Sequence, residues 1–333
     1  MAGLACATLL AAACGGDDDD QDEAAARPGT DIGIAYEAAG LPDAALGQEA
    51  LLGLAEAEDD LGITIHSLET DDAGSDRAEL LRVLAGDGAA VVVGVGRGFG
   101  AAVGEVAPDH EGSTFVVVDG TGPDLPNVVS LDFADEQGAY LAGAAAALTS
   151  ARHRVAFVGL QGDERSTQAQ AGFTVGALRI DGTVQVDVAH APPGPDGGFD
   201  PETVRTTALA LFAGGADLAY AAPGAASEAL MAAAVEHGGV KVIGADRDLA
   251  DLVDPGQAPL VLTSSRKSVA PVLVAALRDA LGRGLDPGVR YVGVAEDAVS
   301  LLTPGGLTAA ASERVEELVA DLVAGQIQVP KVP

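Results

Sequence analysis

The chain contains no tryptophan, only 3% aromatic residues and no cysteine beyond position 14. With so few aromatics, any core must be built from Ala, Val and Leu. The cysteine-free body rules out a disulfide framework, a Cys-ligated metal and a thiol nucleophile. Basic residues are also scarce: 18 Lys plus Arg stand against 50 Asp plus Glu, a formal charge of −32. A field of that sign repels phosphate backbones and anionic headgroups, so nucleic acid is excluded as a partner; the acidity otherwise reads as solubility. The five histidines show no HxxxH spacing, and no GxSxG elbow is present. No catalytic set, metal site or cofactor is expected.

At 333 residues and 48% apolar content the chain can bury the cores of two ordinary domains. Its first segment stands apart. Residues 4–13, LACATLLAAA, form an apolar run too short to span a bilayer, which needs about 20 residues. The run ends in Ala12, Ala13, Cys14 and Gly15, and looks like a secretion signal ahead of a bacterial lipoprotein cysteine. Residues 1–14 are therefore expected to be a signal peptide, with Cys14 lipidated. The next segment, GGDDDDQDEAAARPGT, cannot pack and reads as an acidic tether over 15–30, which argues against a buried N-terminal segment.

From Asp31 onward strands and helices alternate. Strand patterns begin near 31, 63, 89 and 113, and again near 154, 183, 216 and 240. A helix is expected from Gln48, a capping pair at Asp76 and Glu79, and one strand over RYVGVAEDAVSLL. Such alternation implies right-handed crossovers and a parallel sheet in each of two lobes. Between the two runs lies FVVVDGTGPDLPNVVSLDFADEQGAYLAGAAAAL, residues 115–148, whose first strand stops at Asp119 and Gly120. Ligands of open α/β sheets bind at such carboxyl ends. This stretch reads as the crossover between lobes, and its helix carries the small residues Ala139, Gly143, Ala144 and Ala147 for close packing.

Two constellations could carry chemistry. Gly96, Gly98 and Ala101 spell GxGxxA between a strand and a helix, with Asp119 ending the next strand; this is the pattern of a dinucleotide site, and would make the chain an NAD-dependent oxidoreductase. Its position in the third βα unit favours an ordinary tight turn. Polar residues also stand at three strand ends: Asp119, Asp246 in VIGADRD, and Lys267 in VLTSSRK. Carboxylates accept paired hydroxyls, and an ammonium donates to oxygens or ring nitrogens. A salt-bridged hinge is the duller reading of the same residues.

The strings FVVVDG, NVVSLDFADEQGAYLAGAAAAL, RVAFVG, AGFTVGAL, VIGADRD and VLTSSRKSV, with the closing IQVP, resemble the basic membrane protein family of lipoproteins over residues 31–330. The resemblance implies an α/β fold of the type I periplasmic-binding-protein kind: two Rossmann-like lobes with parallel sheets, joined by a three-crossing hinge. The lobes are expected at 31–131 with 266–288, and at 132–265 with 289–333. It further implies a non-enzymatic, monomeric solute-binding lipoprotein on the extracytoplasmic face of the cell membrane, capturing a nucleoside-like ligand for an ABC permease and its ATPase. Asp119 and Asp246 match family acids that bind ribose hydroxyls, and Lys267 matches a family lysine. Asp43 and Gln48 persist in the first loop, where the family's stacking aromatic and its Asn neighbour are replaced by Leu46 and Gly47. Phe199 matches a second stacking aromatic, Gly224 lies in an altered glycine pair, and Gly96 of the GxGxxA turn is counted as a further ligand-binding candidate. A ligand-sensing receptor domain is the remaining alternative.

Overall fold

The computed structural model describes residues 30–39, 41, 43–194, 199–282, 284–302 and 306–332. Cys14 and the tether up to residue 29 lie outside them. The first lobe alternates β1 (Thr30–Tyr36), α1 (Ala44–Leu61), β2 (Ile63–Glu69), α2 (Arg77–Gly86), β3 (Val91–Val95), α3 (Phe99–Val106), β4 (Thr114–Val118) and β5 (Val128–Phe133). The chain crosses at Ala134 into α4 (Asp135–Thr149), then β6 (Arg154–Leu160), α5 (Glu164–Ile180), β7 (Gln185–Ala191), α6 (Pro201–Ala213), β8 (Leu218–Ala221), α7 (Ala226–His237), β9 (Lys241–Gly244) and β10 (Val261–Lys267). It returns through α8 (Val269–Gly282) and β11 (Gly288–Val292), and crosses a third time to β12 (Val299–Leu301) and α9 (Ala309–Val323).

The sheets run β11-β5-β4-β3-β1-β2 and β12-β10-β9-β8-β6-β7. All ladders are parallel except β10 with β12. The central strands β3 and β4 are buried on both faces, which is why VVVGV and TFVVV are continuous apolar runs. Both lobes thus repeat one doubly wound plan, with switch points between β1 and β3 and between β6 and β8, where such folds bind ligands. The crossings lie side by side: Ala134 N donates to Val292 O at 2.9 Å and Ser268 N to Ala298 O at 2.9 Å. This is the two-lobed, three-crossing architecture expected from the sequence.

Beyond its first turn helix α4 is apolar all round and almost wholly buried, and it packs on α5 through glycines. A Cβ at Gly143 would collide with the carbonyl of Phe173, one at Gly172 with that of Glu136, and one at Gly176 with that of Tyr140. The close approach that the small residues predict is therefore made backbone to backbone.

Local expectations fail where tertiary structure intervenes. Helix α1 begins at Ala44 rather than Gln48, because Leu46 and Gly47 are buried against the first sheet. Asp76 precedes α2 but makes no cap bond, since its Oδ1 instead accepts from Asp71 N at 3.0 Å. The run 290–302 is two strands, split where the chain leaves the first sheet for the second. Strand β11 pairs whole with β5 from Gly288 to Val292, so the first lobe's sheet extends past the expected cut at 288.

Candidate functional site

Between the lobes lies a cleft of about 620 Å3. Leu41, Leu46 and Gln48 face it from the first lobe; Phe199, Gly224 and Asp246 face it from the second. That volume falls within the roughly 300–1,000 Å3 usual for small-molecule sites. A much smaller inner chamber, with about 20 Å3 of free room, lies deeper and is lined by Asp135, Arg165, Tyr220, Asp246, Ser265 and Lys267 among others. Asp246 lines both.

Sheet topology explains the convergence. Asp119 follows β4 and Asp246 follows β9, and Lys267 ends β10 just before the second crossing. Each β-branched strand delivers its last polar residue to the carboxyl edge that faces the other lobe. Lys267 Nζ donates to Asp119 Oδ1 and Oδ2 at 3.1 and 3.2 Å, and lies 2.8 Å from Asp135 Oδ1 and 3.4 Å from Asp246 Oδ1. Arg165, in the first turn of α5, reaches across to Asp119 Oδ1 at 2.6 Å and donates to the Asp119 carbonyl at 2.5 Å. It also donates to Asp135 Oδ2 at 3.3 Å.

Asp119 is only 1% exposed, and its side chain is covered by these two cations rather than lining either cavity. Burial pushes its carboxyl up, but Arg165 and Lys267 overcome this and hold it well below the usual carboxylate range. Burial likewise opposes the charge on Lys267, and Asp119, Asp135 and Asp246 outweigh it, raising its ammonium. Asp135 shows the opposite balance: burial lifts its carboxyl despite Lys267 and Arg165.

The remaining expected residues divide. Gln48, Phe199 and Gly224 line the main cleft, with Gly224 N donating to Asp246 Oδ2 at 2.8 Å. Asp43 and Gly96 line neither cavity. They pack on each other at the β1/β3 switch point, a Cβ on Gly96 meeting Asp43 Cβ at 2.9 Å, while Asp43 Oδ2 accepts from Arg97 N at 3.0 Å. Burial, then the nearby Asp119, raises the Asp43 carboxyl. The GxGxxA turn is no phosphate cradle, because the Arg77 guanidinium fills the space over Gly98. The dinucleotide alternative therefore fails on geometry.

Sequence patterns missed Arg97, Asp135 and Arg165. Arg97 pairs with Asp163 of the second lobe, closing one side of the cleft, while Asp163 also caps α5 by accepting from Ser166 N at 2.8 Å. One signal was available: an arginine in a helix's first turn opposes the helix dipole, as Arg165 does, and so asks for a tertiary partner.

The chain matches, over residues 32–332, the family described as ABC transporter substrate-binding protein, PnrA-like. It is 31% identical over 259 residues to the ABC transporter nucleoside-binding protein BmpA of Lactococcus lactis subsp. cremoris, covering 72% of this chain and 71% of that protein. It is 30% identical over 258 residues to a CD4+ T-cell-stimulating antigen of Listeria monocytogenes, covering 73% and 71%. Among solved structures, a transcriptional activator of the comK gene from Bacillus halodurans superposes with a TM-score of 0.75 at 20% identity, over 90% of this chain and 99% of that one. An ABC transporter solute-binding protein from Aeropyrum pernix gives 0.71 at 19% identity, over 90% and 93%. At those identities the structural likeness concerns the fold alone.

Proposed function

Because the chain belongs to the PnrA-like family of ABC transporter substrate-binding proteins, we propose that it traps a nucleoside between its lobes and hands it to an ATPase-driven permease. Family membership makes it an extracytoplasmic binding component and not an enzyme. The ligand is our own reading. The observation that carries it is the division of the cleft into an apolar part, with Leu46 opposite Phe199, and a polar inner end that begins at Asp246. A nucleoside has that same division, a flat base joined to a sugar rich in hydroxyls. With Leu46 in place of an aromatic, base stacking falls to Phe199.

Charge favours a neutral ligand. At the inner end four carboxylates, Asp119, Asp132, Asp135 and Asp246, face three cations, Lys267, Arg165 and Arg266, one more negative charge than positive. A nucleotide's phosphate would add to that excess. Capture by closure follows from the arrangement, since only the closed state lets both lobes touch one ligand. Lipidation of Cys14 would tether the protein, as a monomer, beside its permease.

Thermal unfolding of residues 31–333 against nucleosides, free bases, pentoses, nucleoside monophosphates and NAD tests the reading. A ligand at about 100 times its dissociation constant adds roughly 2.7 kcal/mol. Stabilisation by nucleosides and not by free bases or monophosphates is expected; silence from every nucleoside sinks the proposal.

A further inference from the structure

The inner chamber is too small for a sugar ring. Its free room of about 20 Å3 is what one water-sized group needs, roughly 10–15 Å3 or a little more. Its walls are nonetheless strongly polar, with two carboxylates, Asp135 and Asp246, and three cations, Arg165, Arg266 and Lys267. The donors and acceptors are unevenly used. Asp135 Oδ1 is buried and makes no hydrogen bond among the described residues; it lies 2.8 Å from Lys267 Nζ without the alignment a bond requires. An acceptor left so in a low-dielectric site is costly, and each such group asks for a donor. Arg165 is 12% exposed, and among the described residues only its two terminal nitrogens are engaged, by Asp119, by Asp135 and, at 3.9 Å, by Asp132.

We propose that this chamber receives a single ribose hydroxyl, donating to Asp135 Oδ1 and accepting from Arg165, so that Arg165 and Asp135 decide which sugars the protein selects. The inference rests on the nucleoside reading and refines it. A hydroxyl is the smallest group that both donates and accepts, and it matches an orphan acceptor facing a guanidinium. Asp119 then has a positioning role: fully buried beneath Arg165 and Lys267, it orients the cations that face the ligand. The assignment also ties selectivity to closure, because Arg165 belongs to the second lobe and its anchor Asp119 to the first.

Calorimetric titration of the wild-type protein with inosine and with its 2′-, 3′- and 5′-deoxy analogues tests this, repeated on Arg165→Lys and Asp135→Asn. Arg165→Lys keeps the charge that Asp119 needs and loses the planar fork. One deoxy analogue should bind the wild type at least about 30-fold more weakly than inosine, since a site built for a hydroxyl rejects ligands lacking it. In both variants that penalty should shrink to about fivefold or less, with inosine itself weakened. If the wild type binds every deoxy analogue as well as inosine, or if the variants weaken all four ligands equally, the chamber assignment is wrong while nucleoside capture stands. If the wild type binds neither inosine nor any other nucleoside, both readings fall. If a variant does not fold, the wild-type arm can still overturn the assignment.

Discussion

Asp119 and Asp246 occupy equivalent places in the two lobes: each follows the fourth strand of its sheet, and each holds a left-handed backbone, with φ of 57° and 65°. Outside glycine that conformation costs roughly 1–2 kcal/mol, although Asp tolerates it better than most. Strained residues of this kind gather at ligand clamps. The two acids nonetheless differ in access, because Asp119 lies under two cations whereas Asp246 opens onto both cavities.

Asp246→Asn should therefore weaken nucleoside binding by about 1.5–3 kcal/mol, the usual worth of a hydrogen bond to a charged group, or roughly 10- to 150-fold. Stability should change little, since the side chain is partly solvated. Titration calorimetry with thermal melts separates the two effects, and unchanged affinity would remove Asp246 from the site.

The electrostatics set a sign for acid sensitivity. Asp119 and Asp163 are both held below the ordinary carboxylate value, although burial alone would raise them, by Arg165 with Lys267 and by Arg97 respectively. Each contributes stability that is present above the unfolded carboxyl pKa of about 3.9 and lost as pH falls through the lower folded value. Asp43 and Asp135, raised chiefly by burial, work oppositely: they bind a proton more tightly folded than unfolded, so their contribution improves as pH falls through their raised values. Urea midpoints should accordingly hold level or rise as pH falls from 7 towards about 5, and drop below about 4. Asp119→Asn should flatten that drop; an unaltered acid limb contradicts the assignment.

Gly143→Ala or Gly176→Ala should cost at least about 1–3 kcal/mol, because the added methyl meets a backbone carbonyl that cannot move aside. Gly112→Ala is the control, as its Cβ would meet nothing within 4 Å. Differential scanning calorimetry should show lowered melting for the first two alone. Equal melting in all three would mean that α4 and α5 are not held this closely.

Arg97→Gln removes the ion pair with Asp163 across the cleft. Arg97 is about one-third exposed, so the effect should be modest, about two- to fivefold in nucleoside affinity and expressed as faster dissociation. Stopped-flow measurements should find the difference at low salt and little of it at about 0.5 M, where screening is short-ranged. An effect that ignores salt would point to packing instead.

Cys14→Ser should release the protein from the membrane fraction of expressing cells to the soluble one. Retention in membranes after the substitution would contradict lipid anchoring at this residue.

The alternating strands and helices, the two-lobed plan and the crossover at 115–148 were legible because buried parallel strands write themselves as β-branched runs. Asp119, Asp246 and Lys267 stood out for a related reason: a charged residue ending an apolar strand has few places to go except the carboxyl edge of the sheet. Family likeness could name Gln48, Phe199 and Gly224, but local pattern could not, since nothing in GGFDPE or PDAALGQ distinguishes a cleft residue from a surface loop.

What only the tertiary structure decided is how the charges are shared. Arg165 and Asp135 look in sequence like solvated first-turn residues of two ordinary helices. Packing α5 against α4 through facing glycines, and closing the second lobe on the first, brings both against Asp119 and Lys267. That contact covers Asp119 and leaves Asp246 open. Sequence alone therefore determined which strand ends carry polar groups, through local periodicity; the fold decided which of them a ligand can reach, because access depends on contacts between residues far apart in the chain.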